Sequence, residues 1–231
     1  MRSFSTWPAP LPGGATSDEC ALAFDQNRVH RLLILPALFD EANKLRRLTV
    51  EIMRRLDLSG IDSILPDLPG CNESPAALRE QNLVSWKEAT KACAKYFGAT
   101  HVLTMRSGAL FAPHDIPGWR YAPAGGQKLI RSMLRARTIA SREAGQDETI
   151  GGLELRAKEA GITLAGWELG ADMFAALSVA PTPATPTSAG YFDINQEMVG
   201  GGGLWLRAEP DEDHEQADAI AAIIAVGLAE A

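Results

Sequence analysis

The residues with the greatest chemical potential fall in three short stretches, each directly after an apolar run. They are Pro36-Ala-Leu-Phe-Asp-Glu41, Asp67-Leu-Pro-Gly-Cys-Asn-Glu-Ser74 and Arg106-Ser-Gly108. Together they offer carboxylates (Asp40, Glu41, Asp67, Glu73), a thiol (Cys71), a hydroxyl (Ser107) and a guanidinium (Arg106). A serine or cysteine attacks only when a base or a lowered pKa activates it. Arginine keeps its proton at any working pH, so Arg106 is neither a nucleophile nor a general base. Its planar five-donor fork suits a carboxylate or a phosphate. The alternative to binding such an anion is that Arg106 is paired internally, with Asp40, Glu41 or Glu73 on neighbouring loops. A further basic feature is the helical stretch 127–143, where Arg131, Arg135 and Arg142 share one face. That face is either a docking surface for an acidic protein partner or simply solvated.

The elements that must position these groups follow from hydrophobic period. Apolar runs at 20–24, 30–36, 61–65 and 101–105 read as strands. Leu45, Leu48, Val50, Ile52, Met53 and Leu56 recur at helical spacing and predict a helix over 41–58, ended by Gly60. A second amphipathic helix is predicted over 83–97, stopped at Gly98. Strands alternating with helices imply a mostly parallel sheet, here of at least five strands including 31–35, 61–65 and 101–105, because parallel neighbours need crossover helices. Ligands of such sheets bind outside the carboxyl ends of the strands, where the three reactive stretches lie.

Residues 1–18, rich in Pro, Gly and Ser, read as an irregular lead-in, and 19–231 as a single α/β domain. Within it, 119–122 reads as a strand, 127–178 as a helical cap-like insertion and 180–189 as a Pro/Thr-rich loop. Gly200 to Gly203 form a hinge before a short strand at 204–206, and a final helix covers 212–229.

With 231 residues the chain can bury a sizeable core. Its net charge of −7 argues against a nucleic-acid partner, since phosphate backbones reward basic surfaces. No uncharged apolar run reaches the roughly 20 residues of a membrane-spanning helix, and 1–11 lacks a signal-like apolar stretch. The three cysteines, Cys20, Cys71 and Cys93, are far apart and have no metal-ligand spacing. Reduced thiols in the cytoplasm are therefore expected, with no metal and no cofactor.

Three segments carry a family resemblance: Asp40-Glu-Ala-Asn-Lys-Leu-Arg-Arg47, Leu68-Pro-Gly-Cys-Asn-Glu-Ser74 and Met105-Arg-Ser-Gly-Ala109, joined by a fourth, Leu164-Ala-Gly-Trp-Glu-Leu169. In order and spacing they resemble the α/β-hydrolase superfamily, and within it the exosortase A system-associated hydrolases of the second type. The resemblance covers roughly residues 20–180 and leaves the C-terminal fifth shortened. It implies an α/β-hydrolase-like three-layer sandwich, a place in surface-polysaccharide and protein-sorting pathways, and an oxyanion-type loop at Ala37 and Leu38. It also implies a nucleophile elbow, a tight strand-to-helix turn that needs small residues two before and two after its tip.

Two registers of that elbow are open. With Ser107 at the tip the flanks are Met105 and Ala109, and Met105 is too bulky; with Arg106 at the tip they are Thr104 and Gly108, which fit. Placed at the tip, as the resembled family also has it, Arg106 would form an anion-binding elbow with Ser107 and Gly108, without a working serine triad. Its ligand would be a small anionic molecule or partner, held in a cleft between 36–41 and 67–74. Ser107 would then turn its side chain away from the pocket. The alternative is a serine-type hydrolase of an acyl or glycosyl ester. It would use Ser107, His214 after the last strand, and Asp193 after the strand before it. A purely structural role in envelope assembly is the third reading. His114 reads as a loop residue, and Cys71 sits at a variable position of its loop.

Overall fold

In a computed structural model of the chain, residues 2–184 and 190–230 are described. A seven-stranded sheet runs in the order β1-β2-β4-β3-β5-β6-β9. The strands are β1 (Arg2–Pro10), β2 (Thr16–Phe24), β3 (Arg31–Leu35), β4 (Asp62–Pro66), β5 (His101–Met105), β6 (Gly118–Tyr121) and β9 (Tyr191–Ile194). From β4 to β9 every pairing is parallel, while β1 and β2 add antiparallel at one edge. A separate two-stranded ribbon joins β7 (Ile162–Leu164) to β8 (Trp167–Leu169). The helices are α1 (Asp40–Leu58), α2 (Leu83–Phe97), α3 (Gly126–Glu143), α4 (Ile150–Ala160), α5 (Ala171–Val179), the single turn α6 (Gln196–Val199) and α7 (His214–Ala229).

The central strands are buried on both faces, so their side chains divide by alternation. Leu32 and Ile34 of β3 pack with Leu45, Leu48 and Ile52 of α1 and Ile220 and Ile224 of α7. Leu33 and Leu35 face Trp86 and Cys93 of α2 and the cluster built by α3, α4 and α5. A sheet with a helical layer on each side is the stable way to cover two apolar faces. The elements between 127 and 178 are part of this second layer: Leu134, Leu153, Leu164 and Phe174 join the same apolar cluster as β3.

The strands at 31–35 and 101–105 form where periodicity places them, and the third runs over Asp62–Pro66. Helix α2 starts with a reciprocal box, Asn82 Oδ1 accepting from the Ser85 amide at 2.9 Å and Ser85 Oγ from the Asn82 amide at 3.0 Å. It stops at Gly98, whose φ of 61° suits glycine.

Three expectations are corrected. Residues 2–18 are not an irregular lead-in but β1, a turn and the start of β2; the glycines that suggested irregularity, Gly13 and Gly14, make the hairpin turn at φ 87° and 89°. The prolines are tolerated because β1 is an edge strand that needs few donors, and its alternation buries Trp7 and Ala9 while Pro8 faces out. Leu204–Leu206 is a single 3₁₀ turn, not a strand, so the sheet ends at β9. The last helix begins at His214, capped by Asp213, which accepts from the Gln216 amide at 3.1 Å. Of the loop expected over 180–189, residues 185–189 lie outside the described residues.

Candidate functional site

The chain turns sharply where β5 ends. Arg106 has φ 52°, a left-handed value that a non-glycine residue adopts only at a cost, and 3₁₀ turns follow over Arg106–Phe111. The turn packs against the loop after β3: a Cβ on Gly108 would lie 2.7 Å from both the Leu35 and the Pro36 carbonyl oxygens. Met105, one residue before the turn, is buried with α1 and α7. Helix α2 holds the neighbouring loops in place. Trp86 Nε1 donates to the Pro69 carbonyl at 3.0 Å, and Thr90 Oγ1 to the Phe111 carbonyl at 2.6 Å.

Ser107 is wholly buried, and its Oγ accepts a hydrogen bond from the Leu38 amide at 3.0 Å. The serine hydroxyl therefore takes the amide that an oxyanion-type loop would offer to a ligand. It faces the loop after β3; it does not turn away from it.

The Arg106 side chain runs toward the start of α1. Nε and Nη2 each lie 3.1 Å from one oxygen of Glu41, a two-pronged ion pair, and Nη1 donates to the Ala122 carbonyl at 2.8 Å. The Trp205 ring roofs the guanidinium at 3.9 Å, a cation–π contact, and leaves Arg106 5% exposed. Beneath lies Tyr121, whose hydroxyl is 2.6 Å from Gln196 Oε1 and 3.1 Å from Gln216 Oε1. Burial holds the Tyr121 phenol neutral, with Arg106 pulling weakly the other way. Of the three counter-charges foreseen, Glu41 fills the role. Asp40 pairs with Lys44 at 2.7 Å, and Glu73 is exposed. Trp205 and the Ala122 carbonyl were not foreseen. No local pattern marks a carbonyl as an arginine partner, and Trp205 sat in a segment read as a strand.

The groups proposed as a triad do not meet. Asp193 holds Arg120 through both oxygens, at 2.6 and 2.9 Å. His214 is exposed on the first turn of α7, beside Arg55 at 3.4 Å and Glu212 at 3.7 Å. Among the described residues no hydrogen bond joins any two of Ser107, His214 and Asp193. The reason is the missing strand after β9: the chain there folds into the 3₁₀ turn that carries Trp205, and His214 is left on the outer end of α7.

In the loop after β4, Asp67 accepts from Asn72 Nδ2 at 2.6 Å and stands 3.6 Å from Arg46. Burial, then Asp67 and Glu19, push the Cys71 thiol up to about 12, so it stays protonated and unreactive near neutrality. His114 is exposed. Arg131, Arg135 and Arg142 lie exposed on α3, with no ion pair among the described residues. Among the described residues there is also no group of three or more His, Cys, Asp or Glu placed to hold a metal ion, and no helix long and apolar enough to cross a membrane.

The overall fold has a counterpart among solved structures. DcsB, determined in complex with its substrate analogue, aligns over 98% of this chain and 100% of its own, with a TM-score of 0.56 at 12% identity. The architecture is α/β-hydrolase-like, a mostly parallel sheet with a helical layer on each face. Weaker likenesses are to the α/β hydrolase GrgF of Penicillium sp. sh18 (TM-score 0.48, 14% identity, 78% of this chain and 74% of that one) and to a protein of Agrobacterium vitis S4 assigned as a hydrolase (0.45, 19%, 61% of each). The chain thus spans 61% of the length of the Agrobacterium protein. No protein-family model and no curated protein matches the sequence. An α/β-hydrolase fold does not by itself bring hydrolysis, because function resides in the site and not in the scaffold.

Proposed function

We propose that this chain is a non-hydrolytic protein on the α/β-hydrolase scaffold, in which Arg106 stands where a nucleophile would and receives an anionic group. One observation carries the non-hydrolytic reading: Arg106 occupies the strained turn after β5, with its fork held by the Glu41 carboxylate, so an anionic ligand enters only by displacing Glu41. A permanently protonated group cannot attack an ester, and the adjacent Ser107 spends its hydroxyl on the Leu38 amide. Glu41 stands for the chemical class the site accepts, a carboxylate or phosphate on a small molecule or a partner's side chain. Such a ligand binds by taking the place of Glu41. The resemblance of the loop segments to exosortase-associated proteins suggests a surface-polysaccharide or protein-sorting setting, where anionic groups abound.

Two measurements test this. Purified protein incubated with p-nitrophenyl acetate should release p-nitrophenol no faster than buffer; turnover that Ser107→Ala abolishes would overturn the reading in favour of a serine hydrolase. Inorganic phosphate and acetate, titrated into Glu41→Gln, should raise its thermal midpoint, and the same anions should leave Arg106→Met unmoved. If both variants respond alike, the anion site is not at Arg106.

A further inference from the structure

On the core face of β2, Ala21 and Ala23 join the same apolar cluster as Trp7 and Ala9 of β1, and the residue two before Ala21 in that row is Glu19. Glu19 is 0% exposed. Its Oε1 accepts from Ser74 Oγ at 2.9 Å, and its Oε2 has no hydrogen-bond partner. Directly across the ladder is Trp7, also buried, whose Nε1–H lacks an acceptor. Among the described residues no cation faces the carboxyl. The loop after β4 brings Asp67 and the Cys71 thiol, the chain itself brings Asp18, and Arg46 reaches Asp67 alone, at 3.6 Å. Helix α2, packed against β1, turns Trp86, Ala89 and Cys93 inward. An ionised Glu19 would be an uncompensated buried charge with a second carboxylate beside it.

The ladder explains why this matters at one end of the hairpin. Strand β2 pairs with β4 only over Ala21–Phe24, so residues 16–20 extend past β4 and are paired with β1 alone. This end of the hairpin is tied to the body by Trp7 and Ala9 in the apolar cluster with Trp86 and Cys93, by the Asp67 amide donating to the Cys20 carbonyl at 2.8 Å, and by the contact of Glu19 with Ser74. A two-stranded hairpin without that support is marginal in water.

We propose that Glu19 is a proton-operated lock on the N-terminal hairpin: protonated, it seats the overhanging end of β1 and β2 against the loop after β4, and ionised, it loosens that end. Burial, then the two neighbouring aspartates, raise the Glu19 pKa above its ordinary value of 4.5, while the serine hydroxyls oppose them. A raised pKa in the docked state means that docking is strongest below the ordinary value and weakens as pH rises through the docked one. Each unit of difference lowers the docking equilibrium constant by up to about tenfold.

The test is amide hydrogen exchange on the full chain at about pH 5 and about pH 8, corrected for intrinsic rates. The protection of β1 and of residues 16–20, taken relative to β3 and β5, should fall at the higher pH in the wild type and stay flat in Glu19→Gln. A wild type without the fall, or a fall that persists in Glu19→Gln, overturns the proposal. If Glu19→Gln does not fold, the wild type decides alone: its Glu19 carboxyl carbon should titrate in NMR with a midpoint above 4.5, and a midpoint at or below that value overturns the lock.

Discussion

Glu41 and Arg106, 65 positions apart, meet through both carboxylate oxygens at 3.1 Å, one to Nε and one to Nη2, at the strained turn after β5. The pair closes the corner at the carboxyl end of β5. It also sets the energetics of this corner, because a guanidinium 5% exposed cannot stay without a counter-charge.

Removing that counter-charge should be costly. Glu41→Ala leaves Arg106 with the Ala122 carbonyl and the Trp205 face, and should lower unfolding stability by about 3 kcal/mol in urea denaturation. Removing both charges in Glu41→Leu with Arg106→Met should cost less than the sum of the single changes, by at least about 1 kcal/mol. Additive losses would show that the pair does not act as a unit.

Ser107 should matter for folding and not for turnover. Ser107→Ala leaves the buried Leu38 amide without its acceptor, a loss of about 1–3 kcal/mol. Ester release should be the same before and after the change. Denaturation curves and a p-nitrophenyl acetate assay on the same preparations separate the two roles.

Gly108 should not tolerate a side chain. The Cβ of Gly108→Ala would press to 2.7 Å on the Leu35 and Pro36 carbonyls, so the turn or the loop must shift. We expect a loss of at least about 2 kcal/mol, read as a lower denaturation midpoint. A neutral Gly108→Ala would mean that the loop after β3 yields easily.

Acid should weaken the far end of the sheet through Asp25. The Arg31 fork, at 2.7 and 3.0 Å, and the Asn27 amide hold its carboxyl at about 2, below the ordinary 3.8. A lowered pKa gives stability that is present above the ordinary value and lost as pH falls toward the folded one. Denaturation midpoints should therefore decline from about pH 4 to about pH 2, and Asp25→Asn should flatten that decline. An unchanged slope would assign the loss to other carboxylates.

The sequence by itself determined the alternation of strands and helices from β3 to β5. Alternating apolar runs and helical stripes mark β3, α1, α2 and β5 because burial imposes its period on every residue of an element, and Gly98 marks a helix end because its backbone needs φ 61°. It also favoured a turn at Arg106 over one at Ser107 through the sizes of Thr104, Met105 and Gly108, which are local properties. What it could not fix were partners brought in from far along the chain. Glu41, the Ala122 carbonyl and Trp205 meet Arg106 only once α1, the end of β6 and the turn before α7 converge on one corner. Asp193 and His214 were chosen for their place after strands, yet tertiary packing gave one to Arg120 and left the other on the surface. The N-terminal hairpin stayed hidden for the same reason: prolines and glycines that deny a central strand are compatible with an edge strand, and only the assembled sheet shows which strand is the edge.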